Sequence, residues 1–467
     1  MPRRLRVLHA IHDYLPRHQA GSEIYVADLC AELARRGHHV TVLAASFDPS
    51  RRHGELVWRT HNGLPVVEII NNWSFTSFEE TYRATNLLNA LDHVLTATAP
   101  DVVHVHNLLN LSFELPAMAK RRGARVVGTL HDYTLVCPSG GQRLHRAEQH
   151  VCRAIDPDRC SRCFSESPFP GQMAFGRALE RPGGSIAHRV ARELRRRSPR
   201  LLARLARAGG LTAATNLATA AQIERRLRAA RTTAAEFDVL VAPSPSIAVE
   251  FQALGVAPAR LHVSDYGFVP LLPAGRHQTG ASGPLRVGYV GTLVWHKGVH
   301  VLIDAVRAMS PHEVELRIFG DLDTFPEYSA ELQRSARHLP VQFMGRFDRR
   351  DVASIYAQFD VLAVPSLWLE NSPLVIHEAF MAGLPVVGAR IGGIADLVQH
   401  EVNGLLYPAE SSAALAEALG MLSRDRARLR RLGAHRSRVI TMDEHAAEWE
   451  QLYAAVTHAD AYDRLTS

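Results

Sequence analysis

The stretch L-R-V-G-Y-V-G-T-L-V-W-H-K-G-V (residues 285–299) passes from a β-branched run into a glycine-bearing loop and then toward a helical pattern. Residues 285–291 read as a buried strand and 299–308 as an amphipathic helix, so Lys297 falls in the loop between them. A strand, a loop with a fixed cation, and a helix N-terminus make up the first half of a βαβ unit. More strands follow at 314–320, 341–346, 361–366 and 386–389, each separated by a helix-length segment. That alternation specifies a mostly parallel sheet covered on both faces.

The same alternation occurs upstream. L-R-V-L-H-A-I (5–11), H-V-T-V-L-A (39–44), P-V-V-E-I-I (65–70), D-V-V-H-V-H (101–106), A-R-V-V-G-T-L-H (124–131) and F-D-V-L-V-A-P-S (237–244) are strand-like. Ser22 is placed to cap a helix ending before Gly37. A chain of 467 residues is too long for one core, which stops growing at roughly 250–300 residues. Two doubly wound, Rossmann-like α/β domains facing a central cleft are therefore expected. The first covers 1–269 and includes a cysteine-rich loop (137–163) and a basic helical insert (164–235). A Pro/Gly-rich linker spans 270–284, the second domain 285–440, and a final helical segment 441–467 is placed to cross back to the first domain.

Composition, at 46% hydrophobic and 21% charged, is that of an ordinary globular protein. There is no apolar run near the ~18 residues needed to cross a bilayer, and the N-terminus lacks a signal-peptide core, so a cytoplasmic location is expected. The net charge of +6 is localised: residues 181–230 hold twelve arginines, no lysine and two acids. Within that stretch Ile186, Val190 and Leu194, then Leu201, Leu202 and Leu205, form one apolar stripe among the arginines. Such helices suit either an anionic membrane surface or packing against the first domain with solvated arginines.

In W-L-E-N-S-P-L-V-I-H-E-A-F (368–380), Ser372 and Pro373 have the order of an N-cap and first helical residue. That puts Glu370 in the loop and Glu378 on the second turn. The free amides at Leu374 and Val375, with the helix dipole, can hold a phosphate. Two carboxylates beside an anion site suit a sugar nucleotide, whose hydroxyls donate to carboxylates. The competing structural reading is a solvated Glu370 and a Glu378 paired with an arginine. Lys297, at another helix start, favours the ligand reading, since a cation and helix amides together stabilise a diphosphate leaving group.

With these residues in place the chain resembles the retaining glycosyltransferases of family four, which have the GT-B fold. The resemblance rests on the E-x7-E pair Glu370 and Glu378, H-K-G-V with Lys297, A-G-L-P-V-V (382–387), I-G-G-I-A-D-L-V (391–398), N-G-L-L-Y-P (403–408), and the N-terminal G-S-E and R-R-G-H-H-V. It implies a hexosyltransferase-type enzyme with an acceptor-side first domain and a donor-binding second domain. Glu370 would contact the donor sugar, Glu378 the ribose and Lys297 the diphosphate. The amides from Ser372 to Val375, together with Gly21, would hold phosphate and sugar oxygens, and His131 would stand beside the sugar. Thr292 occupies a position where the family often has arginine, and Arg346 is the candidate replacement cation. The resemblance implies front-face transfer with no cofactor required for catalysis. The expected partners are a nucleotide-sugar donor, a lipid-linked or polysaccharide acceptor in cell-envelope glycan synthesis, and the inner face of the plasma membrane; nucleic acid is not expected. The rival readings are a nucleic-acid- or membrane-binding protein and a related GT-B epimerase or phosphorylase.

Two smaller features carry metal expectations. Cys137, Cys152, Cys160 and Cys163 are candidate ligands of a structural zinc ahead of an iron-sulfur cluster, with His145 or His150 as a replacement for one of them, and the alternative is four reduced thiols. Cys30 is expected to pack in the first helix. D-L-D (321–323) is discounted as a metal site, because it ends a strand in the wrong architecture.

Overall fold

A computed structural model describes residues 4–180, 193, 218–271, 283–435 and 437–457. Contacts divide these into two compact units. The first comprises the described residues of 1–243, 248–264 and 443–467, and the second those of 244–247 and 265–442.

The first unit contains β1 (Arg6–Ile11), β2 (His39–Ser46), β3 (Leu56–His61), β4 (Leu64–Ile70), β5 (Val102–Val105), β6 (Arg125–Thr129), a small hairpin of β7 (Leu144–His145) and β8 (His150–Val151), then β9 (Val239–Ala242) and β10 (Leu261–Val263). Apart from the hairpin, these form one sheet in the order β10-β9-β6-β5-β1-β2-β4-β3. Every pair in it is parallel except β3 with β4. β3 and β4 are joined through Asn62 and Gly63, both at positive φ, the turn that the right-handed strand twist favours. β5 is buried at all four residues, as expected of a parallel strand covered on both faces.

The final helix, Met442–Thr457, is held in the first unit from Asp443 onward by a buried polar network. Tyr25 Oη is 2.7 Å from His445 Nε2, and the Trp449 indole donates to both. Tyr453 Oη is 2.7 Å from His104 Nδ1. At the rim, Arg36 and His38 reach Glu450.

The second unit contains β11 (Leu285–Val290), β12 (Val314–Phe319), β13 (Val341–Gly345), β14 (Val361–Val364), β15 (Val386–Ala389) and β16 (Gly404–Tyr407), all parallel, in the order β13-β12-β11-β14-β15-β16. Counted within its own unit this is the 3-2-1-4-5-6 order of nucleotide-binding doubly wound sheets. The unit begins before the expected linker. Phe268 is bonded to Ile440 and Met442 through its backbone, and Asp265 accepts from Ser372, so 265–271 belong with the second sheet. Residues 272–282 of the expected linker lie outside the described residues, as do the arginine-rich helices expected over 185–208 apart from Glu193.

The first helix runs Gly21–Arg35 with Ala20, not Ser22, at its N-cap. The Glu23 carboxylate supplies the local closure by accepting from the Ala20 amide. The helix expected from Pro373 begins one residue later, at Leu374, and runs to Met381. Pro373 has ψ 116°, so it is the N-cap and not the first helical residue.

Candidate active site

In a doubly wound sheet the ligand site lies where neighbouring strands send their connections to opposite sides, which in the second unit is between β11 and β14. The loop after β11 turns through Trp295–Lys297 and ends at Gly298, at φ 70°. A Cβ at Gly298 would lie 1.9 Å from the Pro365 carbonyl, so the β11 and β14 loops touch backbone to backbone. The Leu367 amide donates to the His296 carbonyl at 2.8 Å and fixes the register of that contact.

The approach brings Lys297 Nζ to 2.7 Å from Glu370 Oε1, and the Ser366 hydroxyl donates to the same oxygen at 2.6 Å. Glu370 is only 5% exposed, and the Lys297 ammonium lies over the Trp368 ring. Glu370 is therefore neither a solvated loop acid nor an isolated one. I-G-G-I-A-D closes the other side. Gly393 donates its amide to the Glu370 carbonyl at 2.7 Å, and a Cβ at Gly393 would sit 1.4 Å from the Asn371 carbonyl. That motif is a backbone cradle for the acid's loop.

Glu378 is partly buried on the following helix, and Tyr356 Oη donates to it at 2.8 Å. Burial raises its pKa, while the Tyr356 bond and the charge of Arg349 pull it back down. The arginine partner of the structural reading is thus a tyrosine for hydrogen bonding. Ser372 does not cap the helix. Its hydroxyl donates to Asp265 at 2.6 Å and lies 2.9 Å from His377 Nε2, on whose ring Phe268 stacks. Leu374 and Val375 form the first helical turn, where backbone amides have no partner within the helix. Thr292 is exposed and its carbonyl accepts from Tyr289. Arg346 is 80% exposed at its side chain and paired with Asp321 at 2.7 Å, which also gives Asp321 of D-L-D its partner.

In the first unit the strand order reverses between β1 and β5, and histidines collect at that end of the sheet. His131 follows β6 and its Nε2 lies 3.0 Å from His106 Nδ1; His106 Nε2 lies 2.9 Å from His9 Nδ1. Burial pushes His9 and His131 down to about 3, and His104 and His106 well below the ordinary imidazole range. All four are neutral at neutral pH. Asp132, beside His131, accepts from Asn107 and the Thr134 amide, and burial raises its pKa. Gly21 is the exposed first residue of the helix that follows β1. Reading D-V-V-H-V-H as strand alone missed His104 and His106. Two histidines two residues apart at the end of an otherwise apolar buried run were the available signal.

The four clustered cysteines are partly buried free thiols. Cys160 and Cys163 lie on the helix Pro157–Glu166, Cys152 follows β8, and Cys163 Sγ is 3.7 Å from the Leu144 carbonyl of β7. Burial and neighbouring thiols push Cys160 up to about 12 and Cys163 up to about 11. Four sulfurs around one zinc are roughly 3.8 Å apart. Among the described residues, the groups of three or more candidate ligand atoms within 4.8 Å of one another include no cysteine. Cys30 is fully buried in the first helix. Arg226 of the basic insert is also buried. It donates to the Thr134 and Leu135 carbonyls and lies over the Phe113 ring, so this arginine is structural.

Residues 20–169 match the family model described as Glycosyltransferase Family 4, and residues 284–425 the one described as Glycosyl transferases group 1. Together they take in more than half of the chain. The chain belongs to these glycosyltransferases. A D-inositol 3-phosphate glycosyltransferase of Xylanimonas cellulosilytica is 35% identical over 176 residues, which are 36% of this chain and 42% of that protein. The amylovoran biosynthesis glycosyltransferase AmsK of Erwinia amylovora is 27% identical over 184 residues, or 38% of this chain and 45% of that protein. The matches thus span less than half the length of these relatives. Anabaena HepE, solved in complex with UDP and glucose, superposes with a TM-score of 0.61 at 19% identity, covering 95% of this chain and 99% of that one. The family's fold is GT-B, and both Rossmann-like sheets of this glycosyltransferase conform to it. No helix among the described residues is long and apolar enough to cross a membrane.

Proposed function

We propose that this protein is a retaining glycosyltransferase that moves a hexosyl group from a nucleotide sugar to a hydroxyl of a lipid-linked or polysaccharide acceptor in cell-envelope glycan synthesis. The observation that carries the reading is the Lys297–Glu370 pair at the switch point of the second sheet. A cation, a buried carboxylate and a helix start with free amides lie together where such sheets bind nucleotides. AmsK, a biosynthetic enzyme of amylovoran, supports the polysaccharide acceptor, and HepE, solved with UDP-glucose, supports the donor class.

In this scheme Lys297 and the amides of Leu374 and Val375 stabilise the charge that develops on the departing diphosphate. Glu378 accepts from the ribose hydroxyls. Glu370 orients the donor sugar, and the leaving phosphate oxygen takes the acceptor's proton on the face the leaving group vacates. His131, held neutral by burial, offers the sugar a hydrogen bond without adding charge. The scheme uses no divalent ion and places the enzyme on the cytoplasmic face of the membrane. A binding-only function rests on the 185–208 arginines, and no described residue favours it.

The test is transfer from a panel of nucleotide sugars, with the product anomer read by proton NMR. Retention of the donor's anomeric configuration supports the reading; an inverted product, or no turnover of any donor, refutes it.

A further inference from the structure

The loop that follows β1 carries a second chemical grouping that the transfer scheme does not use. His12 Nε2 and His18 Nδ1 each lie 3.3 Å from the same oxygen, Glu23 Oε1. The three ligand atoms all fall within 4.8 Å of one another. Glu23 is fully buried with its Oε1 shared between the two rings, and Nδ1 of His12 is buried without a partner. The other carboxylate oxygen is committed to the Ala20 amide, which holds the side chain in place. Arg17, the cation in the same loop, is taken up by Asp13 at 2.6 Å and Ser46 at 2.7 Å.

From these observations we infer that His12, His18 and Glu23 bind a divalent transition-metal ion of the zinc class. Two imidazoles and one carboxylate are a ligand set that zinc and its neighbours take, leaving a fourth position for a water or another oxygen ligand. Ligands at ~2.0–2.1 Å around a tetrahedral ion stand roughly 3.3–3.4 Å apart, which is the spacing of both imidazole nitrogens from Glu23 Oε1. Both rings converge on one carboxylate oxygen, an arrangement a shared cation explains better than an ion pair, which would need only one of the two histidines. His18 is half exposed at its side chain, so the ion has a way in and its open position faces solvent. The second histidine group, His9, His104 and His106, does not compete: both nitrogens of His104 are already bonded, to Tyr453 and Thr129.

The site is tested on untagged full-length protein with Co2+ and Zn2+, reading binding by calorimetry and cobalt ligation by absorption. One Co2+ per chain is expected, with visible d–d bands and no thiolate charge-transfer band, and Zn2+ should raise Tm. His18→Ala, at a half-exposed position where folding is safe, should weaken binding at least about tenfold and cancel the Zn2+ shift in Tm. His12→Ala should do the same. Thiolate charge-transfer bands, which would put the ion on the cysteines, overturn the inference. So does equal binding by wild type and His18→Ala, or no binding at all. None of these readouts depends on sugar transfer, so the outcome stands apart from that of the proposed activity.

Discussion

Lys297 Nζ and Glu370 Oε1 are 2.7 Å apart although 73 residues separate them in sequence, and the contact joins the two loops at the switch point of the second sheet. A donor diphosphate would share the Lys297 ammonium with Glu370. Lys297→Ala is therefore expected to lower kcat/KM by about 100- to 1000-fold, the usual cost of one donor to a developing anion. It should also cost about 1–3 kcal/mol in denaturant unfolding, because Glu370 is left buried with the Ser366 hydroxyl as its side-chain donor. Glu370→Gln keeps the shape and an acceptor, so it should lose turnover with little change in Tm. Activity retained in a folded Glu370→Gln would remove Glu370 from the mechanism.

Gly393→Ala tests the cradle. Its Cβ would overlap the Asn371 carbonyl at 1.4 Å, so the loop carrying Glu370 must move. Turnover should fall at least about 100-fold, since small misplacements of reacting groups are costly, while the rest of the sheet keeps its circular dichroism. Near-normal kinetics would show that the loop's position is not critical.

Acid should destabilise the first unit before the second. His9 and His131 sit at about 3 and His104 and His106 well below their ordinary range, whereas unfolded histidines titrate near 6.5. Between those limits the unfolded chain binds more protons, so stability rises with pH and is lost as pH falls below about 6.5. Each histidine contributes up to about 1.4 kcal/mol per pH unit in that window. Glu23, held down to about 2, contributes stability above its unfolded value near 4.5 and loses it as pH falls from there toward 2, which adds to the loss at the acid end of the same window. Denaturant midpoints at pH 7 and pH 5.5 should separate clearly, and a flat profile would contradict the burial of these rings as neutral groups.

Tyr356→Phe should act on the nucleotide end. The tyrosine holds Glu378's pKa down against burial, so losing it raises that pKa and removes about 1 kcal/mol of orientation. KM for the donor is expected to rise about fivefold with kcat little changed, more so at lower pH. An unchanged KM would argue against Glu378 as the ribose ligand.

Much of this was legible in the sequence because the signals are local. Short β-branched runs with helix-length spacers give two parallel sheets, and 285–299 places Lys297 before a helix start. The E-x7-E stretch puts both acids near that start. What was not legible depends on distant partners. Nothing in S-P-L-V shows that Ser372 answers to Asp265 and His377 and so leaves the cap to Pro373. The histidine cluster needs β1, β5 and β6 side by side before His9, His106 and His131 can be seen in series. Edge strand β3 was a missed local signal, since the Asn62-Gly63 pair marks its hairpin with β4.

The central claim is sugar transfer from a nucleotide donor through Lys297 and Glu370. It is met most directly by measuring nucleoside diphosphate release from UDP-, GDP-, ADP- and dTDP-sugars by wild type, Lys297→Ala and Glu370→Gln, each shown to be folded. One donor class should be turned over by wild type and by neither variant at more than about 1% of its rate. Release by both variants at the wild-type rate, or by no protein with any donor, would contradict the claim.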